Sequence, residues 1–318
     1  MPKYAENPAW EDVVPIPQDD GGPNPLAAIA YTEEYSEAMS YLRAVMANNE
    51  MSERVLDLTE DIIDMNPAHY TVWLYRAKVL FEIDADLRAE TEWVNKTAFR
   101  HLKNYQIWHH RQLIVDKLGS AEGEADFIAR MFEKDAKNYH VWSYRQWLVR
   151  RFDLWEDGEL EAVEELLKKD VRNNSAWNHR WFLVFGKDQD GAMKDKAVTD
   201  REIEYAKAAI EKAPQNQSSW NYLRGILRLS AQPLSTAKAF ASRYASLDDA
   251  DNVNSSHALD LLADIFAQEE GAEEEARQAL SLLAERYDPI RANYWNYRAS
   301  LLNGSAGEAK AKGQSAAV

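Results

Sequence analysis

KNYHVWSYR, Lys137 to Arg145, is one of six near-copies of a single phrase. The others read NPAHYTVWLYR from Asn66, KNYQIWHHR from Lys103, RNNSAWNHR from Arg172, QNQSSWNYLR from Gln215 and RANYWNYR from Arg291. Each holds one tryptophan, and Trp73, Trp108, Trp142 and Trp177 follow one another at 35, 34 and 35 residues. A period of about 34 residues is that of stacked helical hairpins, each too thin to bury its apolar face without a neighbour.

Working outward, each phrase opens the second helix of a hairpin whose first helix precedes it. In SERVLDLTEDIID, from Ser52, the apolar Val55, Leu58, Ile62 and Met65 recur every three or four residues, one face of an α-helix, while the other face is acidic. Asn66 is placed to cap the following helix, with Pro67 at its first position, where a missing amide costs nothing. Asn104, Asn138, Asn173 and Asn216, each four residues before its tryptophan, are expected to cap the later copies. Trp220 lies 43 residues after Trp177, and the surplus, GKDQDGAMKDKAV from Gly186, reads as a longer loop. Trp295 lies 75 residues after Trp220, about two periods, so a unit without its tryptophan is expected near NSSHALDLLADIF from Asn254.

Three residues after its tryptophan each phrase but one carries an arginine: Arg76, Arg111, Arg145, Arg180 and Arg298, with Leu223 in the fifth copy. On a helix the two side chains share a face. The structural reading comes first: the indole fills the joint between hairpins, and the guanidinium bridges to acidic neighbours or to carbonyls closing another helix.

The 318 residues carry 53 acidic and 37 basic side chains, a formal charge of −16 that repels nucleic acid phosphates. Cysteine is absent, which excludes disulfides, thiolate metal sites and a cysteine nucleophile. No long apolar run or signal-like start is present, so the chain is expected to be cytoplasmic, neither secreted nor membrane-spanning. The adjacent His109 and His110, with His101 nearby, have no ligand spacing and suit packing or hydrogen bonding, as does His179; no metal site is expected here. Eleven tryptophans and fifteen tyrosines exceed the needs of a solenoid and suggest a broad partner surface. Three segments are expected: 1–31 extended and proline-rich, 32–302 a single helical-repeat domain whose first helix begins at about Thr32, and 303–318 a disordered tail.

PIPQDDGGPNPLAAIAYTEEY from Pro15, DAKNYHVW from Asp135, DVRNNSAWNHR from Asp170 and SSWNYLRGIL from Ser218 together resemble the alpha subunit shared by protein farnesyltransferase and protein geranylgeranyltransferase type I, over about residues 10 to 300. A generic tetratricopeptide array would carry a Trp-Leu-Gly pattern instead. The resemblance implies an all-α, tetratricopeptide-like, right-handed superhelix, a crescent of about seven hairpins. It further implies an obligate heterodimer with a beta subunit that holds the catalytic zinc, and leaves a magnesium requirement open. The complex would transfer farnesyl or geranylgeranyl from its diphosphate to the cysteine of a C-terminal CaaX sequence, as on small GTPases. This subunit alone would be inactive.

Carried over residue by residue, the resemblance gives Lys137 and Tyr139 the diphosphate. Asn173 and Arg145 line or brace the same region, with Trp177 and Trp142 as structural neighbours. His140 and Tyr105 face the peptide. From the residues alone Lys137 is a solvated charge, Tyr139 an ordinary helix-start aromatic and His140 a plain packing residue. Two rivals remain: the alpha subunit of the Rab geranylgeranyltransferase, which lacks the DAKNYH lysine, and a non-catalytic helical-repeat scaffold.

Overall fold

The computed structural model describes residues 3–302 apart from 23 and 28, and the expected tail at 303–318 lies outside the described residues. The chain packs as two compact units that meet in sequence at Leu154 and Trp155. The first contains α1 (Glu33–Ala47), α2 (Glu53–Met65), α3 (Tyr70–Glu82), α4 (Leu87–Arg100), α5 (Tyr105–Leu118), α6 (Glu124–Lys134) and α7 (Tyr139–Phe152). The second contains α8 (Glu159–Lys169), α9 (Asn174–Phe185), α10 (Gln189–Lys194), α11 (Lys196–Lys212), α12 (Gln217–Leu229), α13 (Lys238–Ala241), α14 (Ser256–Phe266), α15 (Glu273–Leu282) and α16 over 292–302. Among the described residues there is no strand, only an isolated bridge between Ala245 and Val253.

The helices pair as the period requires. In the first unit α2 packs on α3, α4 on α5 and α6 on α7, while α3 packs on α5 and α5 on α7; in the second α8 packs on α9, α11 on α12 and α13 on α14. The unit expected near Asn254 is present as α13 and α14, with the buried Leu259 where a tryptophan would stand. Val55, Leu58 and Ile62 are fully buried, as the pattern in α2 demands.

Asparagine caps fix where the second helices start. The side chain of Asn104 accepts from Gln106 and Ile107 N–H (2.8 and 3.2 Å), that of Asn138 from His140 (3.0 Å), that of Asn173 from Ser175 and Ala176 (3.1 and 3.3 Å) and that of Asn216 from Ser218 (3.3 Å). Asn104, Asn138 and Asn216 also donate backward. Asn104 Nδ2 reaches Pro67 O (2.7 Å), Asn138 Nδ2 reaches Leu102 O (2.7 Å) and Asn216 Nδ2 reaches Val171 O (2.8 Å), so the cap of one hairpin is tied to the turn of the one before. The same Pro67 and Val171 oxygens accept the indole N–H of their own Trp73 and Trp177 (2.9 and 2.8 Å). Where the tryptophan is missing, Ser255 caps α14 and donates to Pro214 O (2.5 Å), an oxygen that also accepts from Trp220 (2.8 Å).

Two expectations fail. Asn66 does not cap α3, and Pro67 is not its first residue: Asn66 ends α2, a turn follows, and α3 starts at Tyr70 with His69 at the cap position. His69 stands four residues before Trp73, where the next four copies have asparagine, and its side chain makes no cap bond. The tryptophan register decides the start, not the nearest asparagine. GKDQDGAMKDKAV is also not a plain loop. Asp188 caps the short α10 through Gly191 N–H (3.0 Å), Met193 is buried, and Asp195 caps α11 from Lys196 onward.

Among the described residues of 14–31 there is no helix or strand, and α1 begins after Thr32, whose hydroxyl accepts from Tyr35 N–H (3.2 Å). Before them the chain is pinned. A short turn at Pro8–Trp10 places Trp10 against Tyr4 and Tyr41, with ring centroids 5.3 and 5.5 Å away. Arg54 of α2 lies over the Trp10 ring at 4.9 Å and grips both oxygens of Asp12 (2.7 and 2.8 Å).

The repeated arginines are the joints. Arg76 is bidentate to Glu90 of α4 (2.8 and 2.7 Å), Arg111 to Glu124 of α6 (2.8 and 2.7 Å) and Arg180 to Glu202 of α11 (2.7 and 3.0 Å). An aromatic residue three positions after each glutamate covers the guanidinium: Trp93 at 4.0 Å, Phe127 at 3.6 Å and Tyr205 at 3.5 Å. The second helix of the glutamate's own hairpin then uses the same carboxylate, through His110 Nε2 on Glu90, Tyr144 on Glu124 and Tyr222 on Glu202, each at 2.7 Å. Arg298 pairs backward instead, to Asp260 and Asp264 of α14, which also bind Arg224. His110 and His179 are thus hydrogen-bonding residues, His179 to Glu159 at 3.2 Å, and His109 is exposed.

Removing one member of such a buried pair strands the other charge, at a cost of about 3–5 kcal/mol. Arg111→Ala, which abandons a Glu124 that is 3% exposed, is therefore expected to lower the urea midpoint sharply. Arg151→Ala, which breaks the exposed pair with Asp116, is expected to cost less than about 1 kcal/mol. Equal losses would show that the joints do not carry the fold.

Burial pushes the Glu90 carboxyl up, but hydrogen bonds from His110 and Arg76 outweigh it and hold the carboxyl at about 2. That lies below the ordinary glutamate value of about 4.3, so the pairing stabilises the protein fully above that value. The stabilisation is lost as pH falls from there toward 2. Glu90→Gln is expected to be less stable at neutral pH and to show a shallower fall in urea midpoint across that acid window.

Candidate functional site

The turn between α6 and α7 is built by two overlapping side-chain caps. Asp135 closes α6 through its own N–H to Met131 O, its carbonyl accepts from Asn138 N–H, and its Oδ1 accepts from Lys137 N–H (3.1, 3.1 and 3.0 Å). Asn138 is buried and caps α7. The main chain of Lys137 is thereby fixed between two anchored neighbours, while its side chain is exposed. It lies directly before the amino-terminal end of the 14-residue α7, where unpaired amides and the helix dipole favour an anion.

Tyr139 opens α7 and is 71% exposed, and Tyr105 opens α5 and is 69% exposed. Their exposure places both phenols at the surface of the first unit. His140 joins them, its ring meeting Tyr105 edge to face at 4.3 Å and Tyr139 at 5.7 Å. Partial burial pushes the His140 imidazole down, only partly offset by its hydrogen bond to the Lys103 main chain. The ring is therefore neutral near pH 7. Lys103 stands in the same position one hairpin earlier and pairs with Asp135 Oδ2 at 3.6 Å.

The remaining residues expected at the site are interior. Trp142 packs on Phe132 at 4.3 Å and donates to Ala136 O (3.0 Å), bracing the turn that carries Lys137. Arg145 is 7% exposed, with its guanidinium carbon 5.9 Å from the Phe132 ring. Asn173 and Trp177 belong to the second unit, where Asn173 is 1% exposed and caps α9, and Trp177 donates to Val171 O (2.8 Å). In this arrangement Lys137, Tyr139, His140 and Tyr105 are brought together at the surface, and Arg145, Trp142, Asn173 and Trp177 form supporting structure.

Sequence reasoning missed the acidic partners Glu90, Glu124 and Glu202 and the turn residue Asp135. A signal existed for the first three, since ETEW from Glu90, EADF from Glu124 and EIEY from Glu202 each place an aromatic residue one turn after the acid. Among the described residues no three histidine, aspartate or glutamate side chains group so as to hold a metal ion. No helix there is long and apolar enough to cross a membrane.

Comparison with known proteins places this geometry. The model of the "Protein prenyltransferase alpha subunit repeat" matches residues 52–83, 87–118, 121–152, 156–186 and 199–230, the hairpins that end on α3, α5, α7, α9 and α12. The protein farnesyltransferase/geranylgeranyltransferase type-1 subunit alpha of Candida albicans is 39% identical over 302 residues, 92% of this chain and 97% of the relative. The subunit of the same name from Solanum lycopersicum is 39% identical over 319 residues, covering 94% and 91%. A solved structure described as Candida albicans protein geranylgeranyltransferase-I complexed with GGPP matches with a TM-score of 0.84 at 38% identity, over 92% of this chain and 97% of that one. With the repeats in register, the likeness running nearly end to end and the structure agreeing at the level of the whole chain, this protein belongs to the family of protein prenyltransferase alpha subunits.

Proposed function

We propose that this chain is the alpha subunit of a heterodimeric CaaX protein prenyltransferase. It scaffolds a beta subunit and supplies cationic and phenolic groups to the isoprenoid diphosphate. The observation that carries the reading is the likeness, along nearly the full length of each chain, to subunits named as shared by farnesyltransferase and geranylgeranyltransferase type 1. The complex works in the cytoplasm on proteins ending in CaaX, small GTPases among them.

The zinc of such an enzyme does not fit this chain, which has no cysteine and no group of other ligands among the described residues. In this reading the beta subunit holds it, and it lowers the pKa of the acceptor thiol. What the present residues do is electrostatic. As the carbon–oxygen bond of the isoprenoid breaks, negative charge accumulates on the departing diphosphate. The ammonium of Lys137, the exposed residue two positions before α7, stabilises that charge more than it stabilises the intact diphosphate, so it raises turnover more than affinity. The Tyr139 hydroxyl donates to the same phosphate oxygens. His140, neutral, bordered by Tyr105 and with its N–H given to the Lys103 main chain, offers its other ring nitrogen as an acceptor and an aromatic edge to the peptide, while Arg145, Trp142, Asn173 and Trp177 keep the turns in place. Any magnesium would ride on the diphosphate.

Expressed alone, the chain is expected to carry out no prenyl transfer, whereas co-expression with a beta subunit yields an active one-to-one heterodimer. An active lone chain, seen as radiolabelled isoprenoid joined to a CaaX peptide, would overturn the reading. Within the heterodimer, Lys137→Ala is expected to slow single-turnover transfer by about 10²-fold, the loss of one preorganised donor, with isoprenoid diphosphate binding changed far less. An unaltered rate would remove Lys137 from the reaction.

A further inference from the structure

The turn before α7 has counterparts that separate what folding needs from what Lys137 needs. In four consecutive copies the residue three before the capping asparagine closes the turn through its carbonyl: His101 to Asn104 N–H (3.1 Å), Asp135 to Asn138 (3.1 Å), Asp170 to Asn173 (3.0 Å) and Ala213 to Asn216 (2.9 Å). Histidine and alanine make this turn as well as aspartate does, so the carboxylate is not required to form it. The two aspartates add a second bond, from Asp135 Oδ1 to Lys137 N–H (3.0 Å) and from Asp170 Oδ1 to Arg172 N–H (2.9 Å). In both places the residue so held is a cation.

We infer that Asp135 is a positioning residue for prenyl transfer: its carboxylate clamps the main chain of Lys137, and so sets where the ammonium meets the departing diphosphate. The inference rests on the reading of Lys137 given above. An aspartate that bonds the amide two residues on narrows the backbone freedom of the residue between an anchored helix end and an anchored cap. A transition-state contact suffers more from a loosened base than ground-state binding does, because its charge stabilisation depends on preorganised geometry. The other carboxylate oxygen faces Lys103 at 3.6 Å, an exposed contact worth little. The clamp is the contribution that matters.

The test is single-turnover transfer in the heterodimer loaded with isoprenoid diphosphate, comparing Asp135→Ala, Asp135→His, Asp135→Asn, Lys137→Ala and the double variant Asp135→Ala with Lys137→Ala. Alanine and histidine are what two sister turns already carry, so these variants are expected to fold and to pair with the beta subunit. Asp135→Ala and Asp135→His should each slow transfer about tenfold, the scale of one lost hydrogen bond, with the dissociation constant for isoprenoid diphosphate unchanged within about twofold. Asp135→Asn, whose amide oxygen can take the same N–H, should restore the rate to within about twofold of the starting protein. In the Lys137→Ala background, Asp135→Ala should have no further effect. The same tenfold loss with and without Lys137, or no loss in either loss variant, overturns the inference. If Lys137→Ala itself leaves the rate unaltered, it is the reading of Lys137 that fails.

Discussion

A buried guanidinium gripped by a carboxylate from the next hairpin is the constraint on which the rest of this structure depends. Arg76, Arg111 and Arg180 each leave water almost completely, and each finds a bidentate glutamate and an aromatic face on the helix that follows. Such a pair contributes little over an apolar joint of similar size, because desolvation offsets most of its attraction. Its effect is on register. A hairpin displaced by one residue would leave a charge buried with nothing opposite, a far larger cost than the loss of a few apolar contacts.

The second set of ties is neutral and reaches the same end. At Trp73, Trp142, Trp177 and Trp220 the carbonyl six residues before accepts from the indole, and at Pro67 and Val171 also from the capping asparagine of the hairpin beyond. One oxygen thus fixes the entry of its own second helix and the position of its neighbour. The buried Leu259 in α14 shows what happens when the tryptophan is lost. Ser255 keeps the cap and the backward bond, and the arginine traffic moves to Asp260 and Asp264.

Much of this could be read from the amino-acid order because repetition supplies its own control. Six copies of one phrase fix the period, the caps at Asn104, Asn138, Asn173 and Asn216, and the shared face of tryptophan and arginine. The acids were hidden because they sit 14, 13 and 22 residues after their arginines, in first helices whose lengths and loops vary. Asn66 misled because two residues intervene before the true cap position at His69, and capping potential says nothing about register. α10 was masked by Gly191 and a run of charges, which describe its wet side; Met193, the residue that anchors it, is a single apolar position. At the candidate site the exposed set Lys137, Tyr139, His140 and Tyr105 was legible only through family likeness, since exposed polar residues at helix starts look alike from composition.

The position five residues before each tryptophan has a further consequence. In the first five copies it holds Ala68, Lys103, Lys137, Arg172 and Gln215 in turn, and each time the turn is closed by a main-chain bond, although Lys103 also pairs with Asp135 and Gln215 accepts from Ser256 N–H. The repeat thus accepts alanine, lysine, arginine or glutamine in one socket, because the main-chain bond that closes the turn uses none of these side chains. Chemistry in such a protein can arise by a single codon, one hairpin at a time, within a turn whose closing bond stays in place.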